Sequence, residues 1–268
     1  MNVIVCVKQV PDTTEIKIDP VNKTLIRAGV PSILNPFDAY AVEAALRMKD
    51  ADKNTKVCVI TMGPPQAVAV LREALSMGAD TAYLCSSREF GGSDTLATSY
   101  ILTNCIKKIE EEEGLKFDVI MCGKQAIDGD TAQVGPEIAE HMDYPQITYG
   151  LEVKEIGEDY LVVTKELDDG KAVIKVHTPC VCTFTLSAFE PRYPTVRGKM
   201  AANRAQIPTL SAAEVTMDLT RAGLKGSPTK VKKTFTPEVK TGGIRIDEGE
   251  AKADAIKLAE LLHNTNVI

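Results

Sequence analysis

Four short runs in the first half of the chain are apolar almost without interruption: residues 3–7 (VIVCV), 56–62 (KVCVITM), 81–85 (TAYLC) and 117–122 (FDVIMC). Runs of this length without alternation read as strands covered on both faces, as in a parallel sheet. Between them, apolar residues recur at helical spacing. The first helix opens at Asn35-Pro36, with Asn35 as N-cap, Pro36 at the first helical position and Asp38 in the first turn, and carries Val42, Leu46 and Met48. The second follows Gly63-Pro64-Pro65, carries Val68, Leu71 and Leu75, and stops at Gly78. The third follows Gly91-Gly92 with Ser93, Asp94 or Thr95 as cap, and carries Leu102, Cys105, Ile106 and Ile109. Strand and helix in strict alternation predict right-handed βαβ units and an α/β, doubly wound, mainly parallel sheet.

After Pro145 the period changes. Residues 148–153, 160–165 and 172–186 are strand-like and Asp168-Asp169-Gly170 is a turn signal, which together predict an antiparallel ribbon. Residues 187–206, broken by Pro191, Pro194 and Gly198, predict a long exposed loop passing into a short helix near residues 200–204. Loops of that length are uncommon unless they work. The division expected is therefore an α/β domain over 1–186, a loop over 187–206 and an arm over 207–268. The arm ends in an amphipathic helix around 248–262 with Ala255, Leu258, Leu261 and Leu262 on one face, which a partner subunit would cover.

Composition narrows the function classes. Hydrophobic residues make up 44% and charged residues 25%, the balance of a globular chain. A net charge of -6 offers no footprint for phosphate backbones, and the basic run Lys230, Lys232, Lys233 is short, so nucleic acid is excluded as a partner. No window is apolar enough to span a bilayer, and MNVIVCVKQV lacks the order of a signal peptide, so the expected location is the cytoplasm. Most of the seven cysteines lie in apolar runs, where reduced thiols act as small hydrophobes. Cys180 and Cys182, one residue apart, are expected to point to opposite faces of a strand, against a metal or CxxC redox site. His141, His177 and His263 are too scattered to found a metal centre or a triad.

Ligands of open α/β sheets bind beyond the carboxyl ends of the strands. Those ends are residues 8–12, 62–63, 85–94 and 123–134. The last, in GKQAIDGDTAQVGP, follows a strand and precedes a helical pattern. Gly123, Gly129 and Gly135 let backbone approach a ligand, Asp128, Asp130, Thr131 and Gln133 can bond ribose and base edges, and free N–H groups at the coming helix can hold phosphate. Pro136 keeps part of the loop open. The competing reading is a Gly/Asp turn with Thr131 as a simple N-cap, because the segment is neither a Walker loop nor a GxGxxG fingerprint. No nucleophile–base pair is evident, so no catalytic residue is assigned; a scaffold that holds a cofactor is favoured over a self-contained enzyme.

Several segments together resemble the β subunit of electron transfer flavoproteins: CVKQVPD (6–12), NPFDAYAVEAALRMK (35–49), the G-P and ALSMGAD run (63–80), GKQAIDGDTAQVGP (123–136), KELDDGKAVIKVHTPCVCTF (165–184) and FEPRYPT (189–195). They cover nearly the whole chain in order. Ala172, where the family usually has Glu or Gln, and Cys182, where it has an aliphatic residue, depart from the pattern within a structural strand. The resemblance implies a heterodimer with an α subunit that carries a second flavin on a mobile domain. Carried over position by position, the nucleotide contacts are Cys6; Asn35, Pro36, Phe37 and Asp38; Met62; and Gly123, Lys124, Gln125, Ala126, Ile127, Asp128, Gly129, Asp130, Thr131, Ala132, Gln133 and Val134.

The family divides by what fills that site, AMP in ordinary members and FAD in a bifurcating branch of anaerobes. KQVPDT, TLIRAGVPSILNP, GGSDTLATSY and the small residues Gly129, Ala132 and Val134 resemble the bifurcating branch. That implies FAD in this chain, NADH as hydride donor, and electrons divided between ferredoxin and, through the α-subunit flavin, a partner flavin dehydrogenase of acyl-CoA or hydroxy-acid type. Asp94, Thr95 and Thr98 become candidates for the flavin or NADH diphosphate, with helix capping as the alternative. Residues 187–206 resemble the loop that docks on the dehydrogenase, with Arg192, Tyr193 and Val196 on that surface and Glu166 placed to orient the mobile flavin domain. Two alternatives stand beside this reading: an ordinary electron carrier with AMP in the same site, and a nucleotide-binding module without redox work.

Overall fold

The computed structural model describes residues 1–12, 31–187, 189–232 and 242–268. Thr13, residues 24–30 of TLIRAGVPSILNP, Ala188 and Lys233 lie outside the described residues. The chain divides into two compact units, Met1–Lys232 and Lys233–Ile268.

In the first unit the elements run β1 (Asn2–Cys6), β2 (Gln9–Pro11), β3 (Ser32–Leu34), α1 (Pro36–Ala51), β4 (Lys56–Met62), α2 (Val68–Met77), β5 (Thr81–Cys85), α3 (Thr95–Glu113), β6 (Val119–Gly123) and α4 (Val134–Met142). There follow β7 (Gln146–Ile156), β8 (Tyr160–Leu167), β9 (Gly170–His177), β10 (Cys180–Phe184), α5 (Val196–Arg204), β11 (Thr209–Leu210) and the one-turn α6 (Gly223–Gly226). Among the described residues nine strands form one sheet, in the order β11-β5-β4-β1-β6-β10-β7-β8-β9. All neighbours pair in parallel except β7 with β8 and β8 with β9.

The uninterrupted apolar runs have the expected cause. Val3, Val5, Val57 and Val59 face α1 and α2, while Ile4, Cys6, Cys58 and Ile60 face α3 and α4, where they meet Ile101, Ile106 and Ile138. The doubly wound sheet is thus as the periodicity predicts.

Four expectations need correction. The strand-like segment 172–186 is two strands with different partners. β9 closes the antiparallel ribbon, whereas β10 inserts in parallel between β6 and β7 and is buried throughout. Cys180 and Cys182 belong to the same core cluster, because residues i and i+2 of a strand share a face. The helix expected near 200–204 begins at Val196, where Thr195 caps it by accepting from the Gly198 N–H at 2.9 Å. Residues 207–232, assigned to an arm, pack on the first unit instead: β11 extends the sheet beyond β5, and Leu210, Val215 and Ala222 are buried. The short antiparallel pair β2–β3 carried no sequence signal at three residues a strand.

The loop ahead of α5 is held by a charge cluster. The Arg192 guanidinium donates to both carboxylate oxygens of Glu43 on α1, at 2.8 and 3.1 Å, and to Asp50 at 2.7 Å. Glu43 is 3% exposed, so removing its partner strands a buried charge. Arg192→Ala is expected to destabilise the unit by about 1–3 kcal/mol, discounted because Arg192 is half-buried, read by urea unfolding. Nucleotide content should not change.

The second unit holds α7 (Ala251–Asn264), close to the helix expected, with Ile256 and Leu258 exposed on it. Among the described residues no helix is long and apolar enough to cross a membrane.

Candidate functional site

The strand order reverses around β1: the chain leaves it for β4 and β5 on one side, then returns by α3 to β6 on the other. At such a switch point the loops diverge and leave a crevice at the carboxyl ends. A cavity of about 330 Å³ lies there.

The strand ends contribute Cys6, Val7, Lys8, Met62, Cys122 and Gly123, the start of α3 contributes Ser93, Asp94, Thr95, Thr98 and Leu102, and the loop before α4 contributes most of the rest. Of the residues singled out in the sequence, Cys6, Asp38, Met62, Asp94, Thr95, Thr98, Gly123, Lys124, Gln125, Ala126, Gly129, Thr131, Ala132, Gln133 and Val134 line it. Asn35, Pro36, Phe37, Ile127, Asp128 and Asp130 do not; several of these hold the lining in place. A larger depression of about 690 Å³ between α1 and the β7–β8 ribbon, with Met1, Asp52 and Glu155 in its wall, lies at the amino ends of the strands, the wrong edge for this class of fold.

Asp38 is the keystone. Its two carboxylate oxygens accept the Lys8 N–H at 2.7 Å and the Gly123 N–H at 3.1 Å, tying the ends of β1 and β6 to the first turn of α1. Burial pushes its pKa up to about 7, against the pull of Asn35 and of those two amides. Asn35 does not cap α1 with its side chain as expected. It is wholly buried and bridges to the loop, donating to the Gln125 carbonyl at 2.8 Å and accepting the Ile127 N–H at 3.1 Å.

The loop is shaped for a close-lying ligand. Asp130 (φ 51°) and Ala132 (φ 53°) are left-handed without being glycine, a strain of about 1–2 kcal/mol each. Ala132 in the left-handed region followed by Gln133 in the right-handed one (φ -105°, ψ -34°) turns successive N–H groups to one side, the geometry of an anion nest. The N–H groups of Val134 and Gly135, in the first turn of α4, have no intrahelical acceptor. Pro136 sits inside that turn, where its missing N–H costs nothing, and the loop before it stays irregular as predicted. Thr131 is not the cap of α4; Gln133 holds that position.

At the start of α3 the capping alternative holds for Asp94. Its carboxylate accepts the Ala97 N–H at 3.1 Å and the Thr229 N–H and hydroxyl at 2.9 and 2.7 Å, which leaves an anion saturated by protein donors and unsuited to a phosphate. Thr95 donates to Gln133 at 2.9 Å and so pins the far end of the loop. Under the cavity, Cys6 and Cys122 are register partners on β1 and β6, and the hydrogen bond with Cys122, together with burial, raises the Cys6 thiol well above its usual value. These are unreactive walls. All seven cysteines are free and buried.

Gly135, expected as a point of backbone approach, lines the cavity, as does Lys8, expected only as part of the strand end 8–12; Val7, Ser93, Leu102 and Cys122 line it without having been assigned to the ligand from sequence. Leu102 was findable, since 95, 98 and 102 share one helix face. Lys8 was findable as the first cation after a strand that ends at the switch point. Of the residues assigned to partners, Tyr193 (92%) and Val196 (79%) are almost fully exposed, Glu166 is exposed on β8, and Arg192 is engaged with α1.

Fold and cleft together define a doubly wound α/β protein with a cleft at the topological switch point. Comparison with known proteins narrows this further. The electron transfer flavoprotein domain matches residues 22–215. The chain is 52% identical over 271 residues to the electron transfer flavoprotein subunit beta of Megasphaera elsdenii, with both chains covered in full. It is 46% identical, again over the full length of both, to the caffeyl-CoA reductase-Etf complex subunit CarD of Acetobacterium woodii. It is 41% identical to the protein FixA of Azorhizobium caulinodans, over 97% of this chain and 94% of that one. The chain belongs to the electron transfer flavoprotein family, as a β subunit.

Proposed function

We propose that the switch-point cavity binds FAD by its adenylate half, and that the chain works in a heterodimer with an α subunit as the β subunit of a bifurcating electron transfer flavoprotein in the cytoplasm. The observation that carries the nucleotide reading is the loop itself: strained Ala132, the nest at 132–134 and the open first turn of α4 converge on one cavity. When bound, FAD would take a hydride from NADH and part with two electrons singly, one to ferredoxin and one by way of an α-subunit flavin to a dehydrogenase. This chain's residues bind and orient. Amides of the loop and of α4 face the phosphate, the apolar strand ends floor the site, and Thr95 and Thr98 stand at its α3 wall.

The relatives' names support a reductase or dehydrogenase partner, since CarD is named for a caffeyl-CoA reductase-Etf complex. In this proposal that partner docks on residues 187–206, with Tyr193 and Val196 as contacts; Glu166 faces the mobile flavin domain, and the arm carrying α7 covers the α subunit. One observation favours the second reading, an ordinary carrier with AMP: a cavity of about 330 Å³ suits a nucleoside monophosphate, and the flavin half of FAD has to be covered outside it. Acid extraction of the complex co-expressed with its α subunit separates the two. Two FAD and no AMP per heterodimer are expected; one FAD with one AMP leaves only the ordinary carrier.

A further inference from the structure

Two cations line the cavity among the described residues, Lys8 and Lys124. The ammonium of Lys124 is held over the rings of Phe37 and Tyr149, at 5.8 and 5.1 Å from their centroids. Lys8 is placed differently. Its main chain is fixed by the bond from its N–H to Asp38, while its side chain leaves the end of β1 and its Nζ meets Asp128 Oδ1 at 2.7 Å on the loop before α4.

That contact is the middle of three fastenings that side chains from outside make along the loop. Asn35 clamps the entry through Gln125 and Ile127, Thr95 pins the exit through Gln133, and between them Lys8 holds Asp128. The outer two are bonds to neutral side chains, which an incoming anion does not contest. The middle one is an ion pair with Lys8 48% and Asp128 24% exposed, and such pairs are weak and readily exchanged. Charge points the same way. Asp38 and Asp94 line the cavity and Asp128 and Asp130 stand on its loop, so an anionic ligand needs a countercharge.

We propose that Lys8 is a phosphate-binding latch: its ammonium holds Asp128 when the site is empty and transfers to the phosphate of the bound nucleotide, releasing the middle of the loop. The proposal rests on the nucleotide reading of the cavity. It assigns Lys8 as a ligand residue and makes Asp128, one of the positions inferred from family resemblance, a competitor for the same cation.

Competition gives the two residues opposite signs, which a structural brace cannot do. The test uses the full chain co-expressed with its α subunit, stripped of nucleotide, with AMP as probe of the adenylate half and adenosine as the probe without phosphate, both titrated by calorimetry. Lys8→Met is expected to weaken AMP binding about tenfold or more, the effect of losing one charge-assisted hydrogen bond, and to leave adenosine unchanged. Lys8→Arg should retain AMP. Asp128→Asn is expected to tighten AMP about threefold by removing the competitor. Asp128→Asn weakening AMP alongside Lys8→Met would reduce the pair to a brace and overturn the latch, as would a Lys8→Met complex that binds AMP normally or loses adenosine equally. Wild-type complex that binds neither AMP nor FAD would instead remove the cavity reading on which the latch depends.

Discussion

Gly123→Ala is expected to destabilise the first unit by at least about 3 kcal/mol and to abolish nucleotide retention. The cause is proximity, not backbone conformation. A Cβ at 123 overlaps Asp38 Oδ1 and comes within 2.6 Å of the Asp38 amide nitrogen and 2.7 Å of the Phe37 carbonyl carbon. These are atoms of the α1 start, and they have nowhere to go. Asp38 is bound to the amides of both flanking strands, and Asn35, just ahead of the helix, is bound to the loop on the far side. Relief requires moving α1 away from β6, which opens the crevice at its base. Gly129, six residues on, is the control, since nothing lies within 4 Å of a Cβ built there. Gly129→Ala should change stability by no more than about 0.5 kcal/mol, the range of a surface substitution. Urea unfolding of both variants, with nucleotide counted in the purified complex, checks the pair. Equal stabilities would mean that α1 can shift freely, and the account of Asp38 as a fixed tie would go with it.

The contrast between these two glycines shows what a sequence can carry. Both were picked out as backbone approach points in one motif, and only tertiary contact separates the one pressed against α1 from the one in open space. Strand positions were legible because burial on both faces leaves an unbroken apolar run: β4 and β5 fall on the residues expected. Partners were less so. The CVCTF of β10 is continuously apolar and fully buried, while KAVIKVH of β9 is mixed and mostly exposed, so the run at 172–186 did contain a break between a central strand and a ribbon strand. The early start of α5 was masked by Pro194 and Gly198, although Thr195 ahead of it is a good cap. At the site, the strand ends and the loop were legible as a location. The division of labour was not, because Asn35 and Asp128 act on the loop and not on the cavity, and that depends on which side chains the fold brings within 3 Å.

Asp38 should make the fold less stable as pH rises from about 4 to about 7. Its carboxyl is buried, and burial lifts its pKa to about 7 in the folded protein, whereas an unfolded Asp titrates near 3.9. Between those values the folded chain keeps a proton that the unfolded chain has released, so the slope of unfolding free energy against pH is negative, and it flattens above pH 7. At about 1.36 kcal/mol per pH unit the loss over that window is about 2–4 kcal/mol. Asp38→Asn removes the titration. The amide also turns an NH2 toward one of the two backbone donors, at a cost of about 1–3 kcal/mol that does not vary with pH. The variant is therefore expected to be clearly less stable than wild type at pH 5, with the gap narrowing or reversing by pH 8, measured by urea unfolding at both values. A gap of constant size would show that Asp38 does not change charge in this range. The same proton bears on the ligand: Asp38 lines the cavity, so its ionisation adds a negative charge beside the phosphate site, and AMP binding should weaken as pH passes 7 in wild type but not in Asp38→Asn.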